Sequence, residues 1–159
     1  MDYTFTEIKE CHNAEMASII RRNLENAGLD IPGTAYFDKN LDSLSSYYGK
    51  ENRKYFVLLK GSKVAGGAGF APFELSDSCA EMQKLYLDNA EKGQGLGYRL
   101  VEKVEEEMRK AGFRTVYLET HHSLQAAIHL YRRCGYREIE RPDGVVHSTM
   151  DLFFVKELF

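Results

Sequence analysis

The chain has 159 residues, of which 43% are hydrophobic, and a formal charge of −3 at neutral pH. That length can bury one sizeable core and is short for two, so the expectation is a single domain over residues 1–159. The charge offers no basic excess for nucleic acid, no apolar run approaches a membrane span, and Met1-Asp2-Tyr3-Thr4 lacks the basic and apolar regions of a secretory signal.

Tyr3 to Lys9 alternates in polarity and reads as a first strand. Asn13 is placed to cap a helix carrying Met16, Ile19, Ile20, Leu24 and Ala27 on one face, stopped by Gly28. Pro32-Gly33 marks a turn, and Leu41, Leu44 and Tyr48 suggest a short helix. Tyr55 to Lys60 and Lys63 to Phe70 form a hairpin about Gly61-Ser62, with Gly66, Gly67 and Gly69 allowing close approach of another backbone or a ligand. The next strand, Ala80 to Leu87, changes parity partway: Ala80 and Met82 share one face, Leu85 and Leu87 the other. Either a β-bulge near Gln83-Lys84 restores the register, or the strand is buried on both faces.

Gly95 to Ala111 is a helix with Leu96, Leu100, Val101, Val104 and Met108 inward and Gly112 as its stop. Thr115 to Thr120 is a strand, and Ser123 is placed to cap a helix whose inner face is Leu124, Ala127, Ile128 and Tyr131, ended by Gly135. Tyr136 to Glu140, a turn at Pro142-Asp143-Gly144 and a last strand from about Ser148 to Val155 complete the chain. Strand, helix and strand across residues 81–120 demand a parallel crossover. The fold class is therefore α/β: one mixed, mostly antiparallel sheet with a central parallel β-α-β crossover and helices on both faces. Cys11, Cys79 and Cys134, odd in number and without a CxxC pair, point to free thiols in a reducing cytoplasm rather than to disulfides or structural zinc.

The stretch richest in chemistry is Lys92-Gly93-Gln94-Gly95-Leu96-Gly97, set between a strand and a helix. Its glycines permit a tight turn with exposed amides, and the helix that follows aims its positive dipole end at the same point, which makes an anion seat. A P-loop is excluded because Gly97 is followed by Tyr98-Arg99, and the Rossmann fingerprint fails for want of a third glycine at the correct offset. Downstream lies Ala127, Tyr131, Gly135 and Tyr136 in an Ala-x-x-x-Tyr-x-x-x-Gly-Tyr pattern. Together the two motifs resemble the GNAT superfamily of acyl-CoA-dependent N-acyltransferases. Lys92, Gly95 and Gly97 fit its [Gln/Arg]-x-x-Gly-x-[Gly/Ala] motif, with lysine as a conservative departure. The likeness is firm over about residues 80–137 and loose before that.

The resemblance implies acetyl-CoA as cosubstrate, no metal, and acetyl transfer to a primary amine of a small molecule or peptide in a ternary complex. A homodimer is common in the family. The amides from Lys92, Gly93, Gln94, Gly95, Leu96 and Gly97 would hold the CoA pyrophosphate, with Tyr98 opening the helix. The backbone of Leu85, Tyr86 and Leu87 would pair with pantetheine, and an N–H near Leu85 would polarise the thioester carbonyl. Tyr131 reads from pattern alone as a core aromatic; the matched motif makes it the general acid for the departing thiolate. Ser123 stands where many members carry Asn, and a pantetheine contact is implied there.

The base is Glu81 or Glu119, and His121 and His122 are a relay or simply solvated. Metal ligation by the histidine pair would need a third ligand. Lys84, Arg99, Lys103, Arg132 and Arg133 read as solvated positions, one or two of which could touch the 3′-phosphate. Cys134, or less readily Cys79, is the alternative of a covalent acyl-cysteine route. The acceptor pocket is expected from residues 28–50, from Phe70-Ala71-Pro72-Phe73 and from the turn near 142–147, with Tyr36, Phe37, Tyr47 and Tyr48 giving it aromatic character. The competing reading is a non-catalytic module that senses acyl-CoA.

Overall fold

A computed structural model of the protein describes residues 2–159. The chain runs through β1 (Tyr3–Glu7), α1 (Asn13–Asn26), a short α2 (Leu44–Tyr47), β2 (Lys54–Lys60), β3 (Lys63–Pro72), β4 (Cys79–Leu87), α3 (Leu96–Lys110), β5 (Thr115–Thr120), α4 (Gln125–Arg133), β6 (Arg137–Ile139) and β7 (Leu152–Glu157). The strands form one sheet in the order β1-β2-β3-β4-β5-β7-β6. Every pairing is antiparallel except β4 with β5, which α3 connects as a parallel crossover. No helix among the described residues is long and apolar enough to cross a membrane.

The helices cover both faces because their apolar stripes need a sheet to bury against. On one face α1 sets Met16, Ala17, Ile20 and Leu24 against Tyr55, Val57 and Val64. On the other, α3 contributes Leu96, Leu100, Val101, Val104 and Met108, and α4 adds Ile128 and Tyr131, over Phe56, Ala68, Met82, Leu118 and Phe154. Each such buried side chain contributes roughly 1.5–3 kcal/mol of transfer free energy. The α3 stripe also buries Glu105, which is paired with Lys156 Nζ at 2.9 Å and accepts a hydrogen bond from Tyr136 Oη at 2.8 Å. This closed triad ties the end of α4 to α3 and β7, and it explains the tyrosine that follows Gly135.

The parity break in β4 is a bulge. Gly69 pairs with Gln83 and Gly67 with Tyr86, so β4 carries one more residue than β3 over this span. Lys84 adopts a left-handed φ of 51° there, and its carbonyl accepts a hydrogen bond from Tyr55 Oη at 2.6 Å. Ala80, Met82, Leu85 and Leu87 consequently all pack in the core beneath α3. Opposite the bulge, a Cβ on Gly67 or Gly69 would fall 2.6 Å from the Tyr55 ring. Those glycines make room for Tyr55 and for neighbouring backbone, and a Cβ on Gly66 would likewise fall 2.6 Å from the Tyr86 carbonyl oxygen.

Two expected caps are not caps. Asn13 lies inside α1 and uses its side chain on Ser45, whose backbone N–H donates to Asn13 Oδ1 at 2.9 Å. Leu124 precedes α4, while the Ser123 hydroxyl pairs with His121 Nδ1 at 2.8 Å, so the turn's own side chains compete for the serine. The last strand starts at Leu152 rather than Ser148, because residues 141–151 form the irregular rim of a cleft.

Candidate active site

The pairing of β4 with β5 ends at Glu81 opposite Tyr117. Beyond that point the bulge bends β4 away, and its edge through Leu85, Tyr86 and Leu87 has no partner strand on the β5 side among the described residues. The Leu87 carbonyl accepts a hydrogen bond from Asn23 Nδ2 at 2.8 Å, which ties α1 to this edge. Asn23 Oδ1 in turn takes a hydrogen bond from Lys92 Nζ at 2.7 Å and so fixes that lysine beside the glycine loop.

The loop is braced from below. Buried Glu91 accepts from Tyr3 Oη at 2.6 Å and pairs with Lys60 Nζ at 3.4 Å, and the Gln94 side chain turns inward to Glu91 as well. Leu96 is buried in the core, whereas Tyr98 is exposed. Gly93 and Gly95 hold left-handed φ values of 84° and 77°. The backbone N–H groups of Gly93, Gln94, Gly95, Leu96, Gly97 and Tyr98 find no acceptor among the described residues, and no atom lies within 4 Å of where a Cβ on Gly93 or Gly95 would sit. A row of free amides in open space at the start of a helix suits a large anion.

Tyr131 is buried on α4, in the same core cluster as Met82, Leu85 and Leu118, which stand on the two sides of the parting. Its hydroxyl has no hydrogen-bond partner among the described residues, and burial raises its pKa well above the ordinary tyrosine value. The group therefore holds its proton at neutral pH.

The opposite face of the sheet carries a cleft of about 340 Å³, lined by residues from the three segments expected to build it. Asp38, Lys39, Asn40 and Tyr47 come from the first, Ala71, Pro72 and Phe73 from the second, and Gly144, Val146 and His147 from the third. Of the expected aromatics only Tyr47 lines it. Phe37 is exposed, Tyr36 Oη donates to Glu25, and Tyr48 Oη donates to Gln83 Oε1 at 2.6 Å.

Glu81 and Glu119 both line the floor. Burial, and then the charge of Glu119, push the Glu81 carboxyl up to about 7, against a hydrogen bond from Gln83 Nε2 at 2.9 Å. Glu119 accepts from Tyr117 Oη at 2.8 Å and faces His147 Nδ1 at 3.5 Å. His147 Nε2 meets Asp38 at 2.9 Å, and Asp38 meets Lys84 Nζ at 2.7 Å. Burial would lower the His147 pKa, but hydrogen bonds to Asp38 and Glu119 outweigh it and hold the imidazole at about 9. Burial would raise Asp38, and the contacts with His147 and Lys84 reverse that.

Lys84 is thus a buried partner of Asp38, not a solvated strand position. Its side chain is only 8% exposed, because the left-handed bulge turns it into the cleft wall. Asp38 and His147 fall within the segments expected to border the pocket and Gln83 within the expected bulge, but the sequence singles out none of them for chemistry, since they meet only through the fold.

The remaining candidates lie elsewhere. Asp151 supplies a third potential ligand to the histidine pair: His121, His122 and Asp151 each place one atom within 4.8 Å of the others. Asp151 accepts a hydrogen bond from the His122 backbone N–H at 2.9 Å and meets the His122 ring with its other oxygen, so the three side chains form one cluster. Burial pushes the Cys79 thiol up to about 11 and raises Cys134 too, so neither is activated as a thiolate nucleophile.

Comparison with known proteins decides the class. The profile of the Acetyltransferase (GNAT) family matches residues 15–136. The chain belongs to the GNAT acetyltransferase family. This GNAT chain is 34% identical over 149 residues to the uncharacterized N-acetyltransferase YjgM of Escherichia coli (strain K12), covering 92% of this chain and 89% of that protein. It superposes on a GNAT-family acetyltransferase from Staphylococcus aureus Mu50 with a TM-score of 0.85 and 18% identity, over 99% of this chain and all of the other. The yncA protein of Salmonella typhimurium, solved with acetyl-CoA, gives a TM-score of 0.78 at 20% identity over 100% of this chain and 95% of that one. The protein is accordingly an acyltransferase with the GNAT fold.

Proposed function

We propose that this acyltransferase, acting as one domain over residues 1–159, moves acetyl from acetyl-CoA to a primary amine by direct attack in a ternary complex. The observation that carries this reading is the parting of β4 from β5 directly after Glu81 and Tyr117. It leaves one opening through the sheet, with a proton donor on one face and an elevated carboxylate on the other. The free amides from Gly93 to Tyr98 fit a pyrophosphate, and Lys92 adds a positive charge beside them. The unpaired edge at Leu85, Tyr86 and Leu87 fits the amides of pantetheine as an added strand, with Asn23 already holding the Leu87 carbonyl. Ser123, its hydroxyl held by His121, lies at the turn before α4 and is proposed to border the same edge.

Bound acetyl-CoA supplies an acyl group activated as a thioester. The protein's part is to manage protons and charge. Glu81, with a pKa of about 7, is suited to take a proton from the acceptor's ammonium near neutral pH, when the amine must be made nucleophilic. An N–H near Leu85 stabilises negative charge on the carbonyl oxygen. As the C–N bond forms and the C–S bond breaks, Tyr131 Oη donates its proton to the sulfur. The raised thiols of Cys79 and Cys134 support direct transfer over an acyl-cysteine.

The test is release of free CoA thiol from acetyl-CoA over a panel of amines. Amine-dependent release, with the acetylated amine identified by mass, is expected. CoA binding without turnover on any amine would leave a sensing module instead.

A further inference from the structure

Two buried side-chain atoms lack any hydrogen-bond partner among the described residues, Asn40 Oδ1 and Arg53 Nε, and both residues line the cleft that holds Glu81. A buried polar group without a partner costs about 1–3 kcal/mol. Both atoms are closed to solvent, but the terminal nitrogens of Arg53 are not among these closed-off atoms and are likewise unpaired, so the guanidinium end is the part of this pair that a ligand in the cleft can reach. Arg53 forms no ion pair with any described carboxylate, and neither does Lys39, whereas Lys84 holds Asp38 and His147 holds Asp38 and Glu119. The Arg53 guanidinium instead rests 4.6 Å from the centre of the Tyr47 ring, which fixes its plane while leaving its N–H fork unused.

The position of Arg53 is set by the backbone. It follows Asn52, whose φ of 63° is left-handed, and precedes Lys54, which pairs with Phe70. Ala71, next along β3, pairs with Glu81. Arg53 therefore enters the cross-sheet row of Glu81, two strand spacings or about 10 Å away across the sheet. Its stacking on Tyr47 puts it on the same face as the cleft.

We propose that the acceptor is a small molecule bearing both a primary amine and a free carboxylate, the class of free amino acids, with the Arg53 guanidinium as the carboxylate's partner. This rests on the acetyl-transfer reading above and narrows its substrate. The guanidinium fork matches a carboxylate in a two-point contact that an amide cannot return. The cleft volume of about 340 Å³ suits one such molecule.

The experiment compares the common L-amino acids with their C-terminal amides, using CoA release for turnover and calorimetric titration in the presence of CoA for binding. For the best acid, wild-type protein should favour the acid over its amide by about tenfold or more in kcat/KM, as loss of a charged hydrogen bond implies. Arg53→Gln should bring that ratio toward one, chiefly through KM, and Arg53→Lys should restore part of it; thermal melts confirm that each variant is folded. Acids that bind through Arg53 without turnover would uphold the carboxylate site and overturn the acetyl-transfer reading. Turnover of amides equal to acids, with the ratio unmoved by Arg53→Gln, would overturn the carboxylate site and leave acetyl transfer standing. No difference between acid and amide in either readout overturns it as well.

Discussion

The two halves of the proposed site, donor and acceptor, are made of different material. The proposed donor side, from Leu85 to Tyr98, presents mainly main chain: an unpaired strand edge and a row of free amides with the Lys92 side chain beside them, braced beneath by Tyr3, Lys60 and Glu91. The acceptor side presents side chains, in a chain of charges from Lys84 through Asp38 and His147 to Glu119, with Glu81 beside it. Backbone dipoles do not titrate and tolerate most changes of side chain. A charged network titrates at every member and can be rewritten one residue at a time.

Tyr131 sits where the halves meet, and the largest effect is expected there. Tyr131→Phe should lower kcat by about 10²–10⁴ fold, the usual range for loss of a general acid, while CoA affinity changes little. Stability should be nearly unchanged, since the ring stays buried and the hydroxyl has no partner to abandon. Stopped-flow turnover beside CoA titration separates these outcomes; equal turnover in the mutant would remove Tyr131 from the proton path.

Glu81 tests whether the acceptor side alone carries the pH response. With its pKa near 7, kcat/KM should rise as pH increases through about 7, because the carboxyl must be ionised to take the ammonium proton. Glu81→Gln should lower kcat/KM by about a hundredfold and flatten that limb. Glu119→Gln should move the limb to lower pH, since the Glu119 charge is the second cause of the elevation. A limb that persists in Glu81→Gln would assign the titration to another group. Affinity for CoA should stay level across the same range if the donor seat is main chain.

His147 carries the same contrast into stability. Its folded pKa of about 9 lies above the ordinary histidine value of 6.5, so its contribution is fully present below pH 6.5 and lost as pH rises through about 9. The loss is of order 2 kcal/mol, its side chain being largely shielded. Urea melts between pH 6 and 10 should show this decline, and His147→Gln should lose most of the slope. A wild-type slope retained in the mutant would place the coupling elsewhere.

The same difference of material decides what the sequence could disclose. Gly93 and Gly95 stand together in the chain because one turn needs their left-handed φ, Gly97 lies in the first turn of α3 where a Cβ would fall 3.1 Å from Leu130, and the parity change between Met82 and Leu85 marks the bulge that opens β4. Local devices leave local traces. Tyr131 was readable only through the motif that resembles the family, since its apolar neighbours make it look like plain core. The chemistry of Asp38, Arg53 and His147 left no trace, because these residues are joined by a register of strands and a rim loop, across 109 residues for the Asp38–His147 contact. Lys84 was misread for a related reason: a strand lysine is normally solvated, and only the left-handed bulge buries it. The segments of the acceptor cleft were legible as segments. Their chemistry was not.

The smallest effect tests the donor seat at its most local point. Gly95 holds a φ of 77° and a Cβ there would touch nothing within 4 Å, so Gly95→Ala introduces strain without a clash. An L-residue in that conformation costs about 1–2 kcal/mol. If the loop keeps its shape, the cost appears as lost stability; if it relaxes, the amides from Leu96 to Tyr98 lose their common aim and the cost appears as weaker CoA binding. The two should sum to that amount, or about five- to thirtyfold in affinity where relaxation dominates. Gly95→Asn should lose less, because asparagine tolerates the left-handed region. The pH profile should not move in either variant. Unchanged CoA affinity together with unchanged stability in Gly95→Ala would show that the loop is not held by its backbone, and the division between a main-chain seat and a side-chain cleft would fail at the point where it is most sharply drawn.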